Sequence, residues 1–219
     1  MVIGREAERE QVASVMRRLY RRGLTTCSGG NVSLRCGDVV LITPSGTDKG
    51  EITAGQIGAV TISGENLAPD LRLSIETEMH LEVYRNRPDV KGIVHAHPVT
   101  ASAFAALDAK IDTRLTAETW HVLGVPVRAT YALMGTKELA RIVGQAARQG
   151  DAVIMENHGV LTVGETLFRA FDRMEILEAA ARMTWIAATM GCSRPLTEAR
   201  IREIEEVYGV RDSKRTPAQ

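Results

Sequence analysis

The chain has 219 residues, and its 27 lysines and arginines balance 27 aspartates and glutamates, so the formal net charge is zero. No basic field exists to hold nucleic acid or an anionic membrane surface, no apolar run approaches the ~20 residues that span a bilayer, and a small-molecule partner is expected. Cys27, Cys36 and Cys192 are odd in number and lack C-x-x-C spacing, which argues against a disulfide framework or thiolate-bound zinc and for three reduced packing residues.

The first ten residues are polar and carry no apolar signal core, so a cytoplasmic location is expected. With no proline-rich, serine-rich or low-complexity linker, the expectation is one domain over residues 1–209 and a polar tail over 210–219. Residues 6–22 place Val12, Val15, Met16, Leu19 and Tyr20 at helical spacing, and Gly23 stops that helix. Ser28-Gly29-Gly30-Asn31 then turns into a strand beginning at Val32, and consecutive amides in such a turn can form an anion-binding concavity, although the same residues also make an ordinary turn. A hairpin through Cys36-Gly37-Asp38 returns as Val39 to Ile42, and Thr43-Pro44-Ser45-Gly46 offers a second set of amides and hydroxyls. Lys49 follows closely enough to reach a phosphate or a substrate oxygen, or else is a solvated lysine.

A further strand covers residues 59–62, and Ser74 is placed to cap a helix running to Arg87 before Pro88. Glu76 in its first turn reads either as a residue favoured by the helix dipole or as a ligand, and His80, one turn on, reads as a packed histidine or as a rival ligand. Lys91 to Pro98 is an apolar run ending in His95-Ala96-His97. If it is a strand, both imidazoles leave the same face and can close on one ion. An alanine-rich helix over 100–107 follows, and residues 115–123 carry Glu118, Trp120 and His121 ahead of a strand reaching Tyr131. Thr136 caps a helix to Ala147, and the strand 152–155 delivers His158 to the tip of a hairpin whose return strand is 159–163. Helices over 165–190 and 197–207 complete a pattern that implies an α/β fold with a mixed or mainly antiparallel sheet covered by helices.

Three histidines and Glu76 would form the ligand set of a catalytic rather than a structural divalent metal site. A cupin would require a glutamate soon after the His-x-His pair, and a metallo-β-lactamase a following Asp-His; residues 98–107 supply neither.

Taken in register, Gly30-Asn31-Val32-Ser33, Thr43-Pro44-Ser45-Gly46, Ser74-x-Glu76, His95-x-His97, Gly135-Thr136-Lys137-Glu138-Leu139, Asn157-His158-Gly159 and Tyr208-Gly209 resemble the class II aldolases of the L-fuculose-phosphate aldolase and L-ribulose-phosphate 4-epimerase superfamily. The resemblance implies a three-layer α/β/α domain with a central, mainly antiparallel sheet, and a homotetramer with active sites where subunits meet. It implies one Zn2+ per subunit held by His95, His97, His158 and, at rest, Glu76, which also serves as catalytic base. Gly30, Asn31, Ser45, Gly46 and Ser74 match the cradle for the substrate's phosphate, and Tyr208 matches a C-terminal residue that closes over the aldehyde half of the substrate in an adjoining subunit.

The implied reaction cleaves a ketose 1-phosphate resembling L-fuculose 1-phosphate into dihydroxyacetone phosphate and a short aldehyde, through an enediolate stabilised by zinc. Three features depart from the fuculose pattern: Ile75 replaces a second serine, Met134 stands where an aromatic precedes Gly-Thr, and no tyrosine accompanies Leu115. Glu118 or His121 is the nearby titratable group there, and Glu118 would fit an acid in a dehydratase or another sugar-phosphate lyase. The other outcomes of the superfamily are 4-epimerisation, methylthioribulose-phosphate dehydration and decarboxylation. A non-enzymatic alternative, an adducin-like interaction module, would lack the complete histidine set.

Overall fold

A computed structural model describes residues 4–209; the tail expected at 210–219 lies outside them. Seven strands form one sheet: β1 (Asn31–Cys36), β2 (Val39–Ile42), β3 (Gly58–Thr61), β4 (Gly92–Ala96), β5 (Val127–Ala129), β6 (Ala152–Met155) and β7 (Gly159–Gly164). Their order is β3-β2-β1-β4-β7-β6-β5. Every neighbouring pair is antiparallel except β5 with β6, so the sheet is mixed, as the alternation of short strands and hairpin turns led us to expect.

Side-chain alternation splits the core between the two faces of this sheet. Val32, Leu34, Val94, Ala96 and Val160 face α1 (Glu6–Arg21), α3 (Val99–Ala105), α4 (Ala117–Leu123) and α6 (Leu167–Met190), which contribute Val12, Met16, Leu19, Phe104, Leu123, Phe171, Met174 and Leu177. The opposite face buries Val40, Ile42, Ile93, Leu161 and Val163 under α2 (Thr77–Asn86) and α5 (Lys137–Ala147), through Met79, Val83, Leu139, Ala140 and Val143. His95 shares the parity of Ile93, and its cross-strand partner is Asn31, so both belong to the face covered by α2. The final helix, α7 (Glu198–Tyr208), packs beside α4.

Threonines set the helix starts. Thr116, Thr136, Thr166 and Thr197 each accept the backbone N–H three residues on, an arrangement worth about 0.5–2 kcal/mol per helix. Ser74 does not cap α2. Its hydroxyl accepts from Glu76 N and its carbonyl from Thr77 N, forming a separate turn, so the helix begins at Thr77 and Glu76 occupies the half-in position before it. The 115–123 stretch divides into a 3₁₀ turn, Thr113–Leu115, and α4, and β5 stops at Ala129 rather than Tyr131. All three cysteines are free, but Cys27 and Cys192 are exposed, so only the half-buried Cys36 packs as expected. No helix among the described residues is long and apolar enough to cross a membrane.

Candidate metal centre and active site

The sheet register brings the three histidines together. Strand β4 carries His95 and the residue just past its end is His97, two apart and on one face, and the β6–β7 turn, where Asn157 takes a positive φ of 52°, presents His158 beside them. One ligand nitrogen from each lies within 4.8 Å of the others. Glu76, the residue immediately before α2, puts Oε2 3.2 Å from His95 Nε2 and Oε1 3.2 Å from His158 Nε2.

Glycines make this convergence possible. A Cβ on Gly159 would lie 2.4 Å from His97 Cδ2, and one on Gly29 would lie 3.2 Å from His97 Nδ1, so each side of that ring rests on bare backbone. Gly30, at φ +67°, packs against the His95 carbonyl, where a Cβ would approach to 2.7 Å.

The donor set suits a divalent cation. His95 Nδ1 lies 2.9 Å from the Val160 carbonyl, which can only accept, so the ring proton is on Nδ1 and the Nε2 lone pair faces the centre. His97 Nε2 is 3.1 Å from that atom. Two lone pairs facing each other at this separation repel unless a proton or a cation lies between them. Glu76 Oε1 is buried and accepts no hydrogen bond despite its proximity to His158. Three imidazoles and an adjoining carboxylate are nitrogen and oxygen donors of the kind used by catalytic metal centres.

The electrostatics follow from burial and proximity. Burial opposes the charged form of Glu76, but the His95 imidazole, the Asn31 amide and His158 outweigh it and hold the carboxyl well below the usual range. Burial would lower His95, yet the Glu76 carboxylate raises it. Burial and then the fields of His95 and His158 push His97 down to about 4, and burial followed by His95 lowers His158.

The matched cradle segments meet next to this centre. Ser45 Oγ accepts from Ile75 N at 3.3 Å, Ser45 N donates to Arg72 O, and Lys49 N donates to Cys27 O, which ties the turns around residues 27–30, 44–49 and 72–76 together. Gly46 is exposed at φ +67°, and Ser74 is buried. Asn31 is differently employed: Nδ2 donates to Glu76 Oε2 at 2.8 Å and Oδ1 lies 2.5 Å from His80 Nε2, so the amide grips the carboxylate. Lys49 does not reach outward; it is 1% exposed and its Nζ donates to the Pro44 carbonyl, with burial pushing it down to about 8.

Two residues stand apart. Glu118 is exposed in the first turn of α4, and Tyr208 is 68% exposed at the end of α7 with its ring centroid 4.9 Å from that of His121. Among the described residues of one chain, neither joins the histidine group. His80 is no rival ligand: it is fully buried beneath Asn31, hydrogen-bonded to Ser33, and lowered to about 3 by burial and then by His95. Sequence reasoning missed the partnership of Asn31 and Ser33 with His80 and Tyr84. The available signal was two polar residues alternating on a buried strand and two polar residues four apart on an amphipathic helix.

The family model described as class II aldolase and adducin N-terminal domain matches residues 10–185. The chain belongs to the class II aldolase and adducin family. A protein named L-fuculose phosphate aldolase from Methanococcus maripaludis is 33% identical over 172 residues, 78% of this chain and 93% of that one. A protein named 3-oxo-tetronate 4-phosphate decarboxylase from Pectobacterium atrosepticum is 34% identical over 174 residues, 76% of this chain and 78% of that one. The solved structure of an L-fuculose 1-phosphate aldolase superposes with a TM-score of 0.85 at 29% identity, covering 94% of this chain and all of that one. The family expected from the motifs is therefore borne out, and the class II aldolase assignment makes the chain an enzyme rather than an adducin-like module.

Proposed function

We propose that this class II aldolase is a zinc-dependent lyase that cleaves a ketose 1-phosphate into dihydroxyacetone phosphate and a short aldehyde. The observation that carries the reading is the convergence of His95, His97 and His158 with the ionised, buried Glu76 3.2 Å away. In the proposal the three imidazoles hold the metal, which when bound supplies Lewis acidity at the ketone and the neighbouring hydroxyl. Glu76 moves a proton to and from the carbon next to the ketone: it returns the proton after cleavage and removes it in synthesis. The turns at Gly30, Ser45–Gly46 and Ser74 orient the phosphate through backbone amides and hydroxyls.

The proposed assembly is a homotetramer in which Tyr208 of one subunit closes on the aldehyde half in the next, its exposure at the end of α7 leaving it available for that role. Glu118 is the proposed acid on the aldehyde side, again from its exposed place on α4. Decarboxylation of a 3-oxo acid phosphate is the second reading. It draws on the relative named for that reaction and on Ile75, which is 52% exposed beside the cradle and adds no hydroxyl there. The test is to incubate metal-loaded enzyme with a panel of ketose 1-phosphates and 3-oxo acid phosphates and identify products by mass. Dihydroxyacetone phosphate with an aldehyde supports the first reading; carbon dioxide with a phosphorylated ketone replaces it with the second.

A further inference from the structure

Beneath Glu76 runs a buried line of polar groups that metal binding does not use. Tyr84 Oη lies 2.9 Å from Ser33 Oγ, Ser33 Oγ 2.6 Å from His80 Nδ1, His80 Nε2 2.5 Å from Asn31 Oδ1, and Asn31 Nδ2 2.8 Å from Glu76 Oε2. All of these side chains are buried. We infer that His80 is a positioning residue for Glu76, acting through Asn31, and that its Nε2–H tautomer fixes which way the Asn31 amide faces. The inference rests on Glu76 being the proton-transfer group of the proposed function.

The direction of each hydrogen bond follows from the carboxylate outward. An ionised carboxylate only accepts, so Asn31 turns its NH₂ towards Glu76 and its carbonyl oxygen towards His80. That oxygen only accepts, so His80 carries its proton on Nε2. A neutral imidazole then accepts at Nδ1, so Ser33 donates to it, which leaves Ser33 Oγ and the Lys91 carbonyl, 3.2 Å from Tyr84 Oη, as two acceptors sharing the single Tyr84 hydroxyl proton. From Ser33 inward each donor points towards the carboxylate, and such chains reinforce one another in a water-free interior. Flipping the Asn31 amide would oppose its oxygen to the carboxylate and its NH₂ to an N–H, so the amide has one stable orientation.

The fold builds the line from two periodicities. Asn31 and Ser33 alternate onto the sheet face beneath α2, and His80 and Tyr84, four apart, cover them from the helix. Packing alone would be satisfied by apolar residues at these four positions; what distinguishes the line is that it ends on the group that moves the proton.

The test uses the full chain with metal saturating and four variants: His80→Leu, His80→Gln, Ser33→Ala and, for the spectra, Glu76→Gln. Ring ¹⁵N–¹H correlation spectra of the wild type are expected to show His80 protonated on Nε2, and the Asn31 side-chain amide signal is expected to move in both Ser33→Ala and Glu76→Gln. These spectral readouts need no substrate, so they decide the inference even if the substrate panel overturns the proposed reaction. On whichever phosphorylated substrate is turned over, His80→Leu is expected to lower kcat by about 10–100-fold with KM little changed, the range found when a supporting hydrogen bond around a metal site is lost. Gln, whose amide N–H can replace Nε2–H, is expected to restore most of kcat. If His80→Leu fails to fold, Ser33→Ala and His80→Gln carry the kinetic comparison, with Ser33→Ala expected to be the slower. An Nδ1–H tautomer for His80, an Asn31 signal indifferent to Glu76→Gln, or folded His80→Leu enzyme with wild-type kcat would overturn the inference.

Discussion

Gly159→Ala adds a single methyl group at the first residue of β7 and tests how closely the histidine centre is packed. The new Cβ would stand 2.4 Å from His97 Cδ2 and 2.8 Å from the Ala96 carbonyl oxygen. Carbon atoms attract best at roughly 3.5–4.0 Å, so the ring must retreat by about 1 Å while the strand backbone behind it resists. Ligand constellations tolerate displacements of only about 0.5 Å, so His97 would leave the centre. The expected outcome is a metal affinity about 10–100-fold weaker, with a stability loss of about 1–3 kcal/mol from overpacking. The assay is competition dialysis with Zn2+ against a chelator, alongside urea unfolding of the metal-free protein. Gly164→Ala is the control: at the other end of β7 its Cβ would lie 2.6 Å from Ala170 N and 2.8 Å from Thr166 O, which should cost stability and leave metal affinity intact. Folded Gly159→Ala with wild-type affinity, or an equal loss of affinity in Gly164→Ala, would refute the packing argument.

Glu76→Gln is expected to retain metal and lose turnover on the order of a hundredfold or more, because the amide keeps the shape and takes no proton; an active variant would move the base elsewhere. For Lys49 the sign follows from its lowered value of about 8 against 10.5. The unfolded chain binds the extra proton between those values, so folded stability rises with pH across that window, and the cost of the buried charge is fully present only below it. Urea unfolding of Lys49→Met and wild type at about pH 7 and about pH 10 should show the variant losing ground relative to wild type as pH rises, and a constant difference would mean that Lys49 titrates normally. Deleting residues 208–219 is expected to leave zinc content and assembly intact and to degrade product stereochemistry; unchanged stereochemistry and kinetics would leave Tyr208 as surface packing.

Much of the centre could be read from strand alternation. His95 and His97 are two apart on an apolar run, and His158 follows a four-residue strand bounded by a Gly-Asp start and an Asn-His-Gly turn, so each placement needed only local geometry. The partners of Asn31 were not legible, because they depend on the β1–β4 register and on which helix covers that face, and neither is encoded within the motif itself. Ser74 misled in a different way: a serine before an acidic residue is a cap signal, but here its hydroxyl closes a turn one step earlier and releases Glu76 towards the histidines. Lys49 looked solvated because nothing in its neighbours signals that the turn folds back over its amine.

The most direct measurement of the proposed chemistry is hydrogen–deuterium exchange of dihydroxyacetone phosphate in D₂O, followed by proton NMR, because it reports enediolate formation without knowledge of the aldehyde. Proton transfer by Glu76 at a metal held by His95, His97 and His158 predicts stereospecific exchange of a single hydrogen on the hydroxyl-bearing carbon, lost on chelation and in Glu76→Gln. No exchange by the zinc-loaded enzyme, or undiminished exchange in Glu76→Gln, would contradict it.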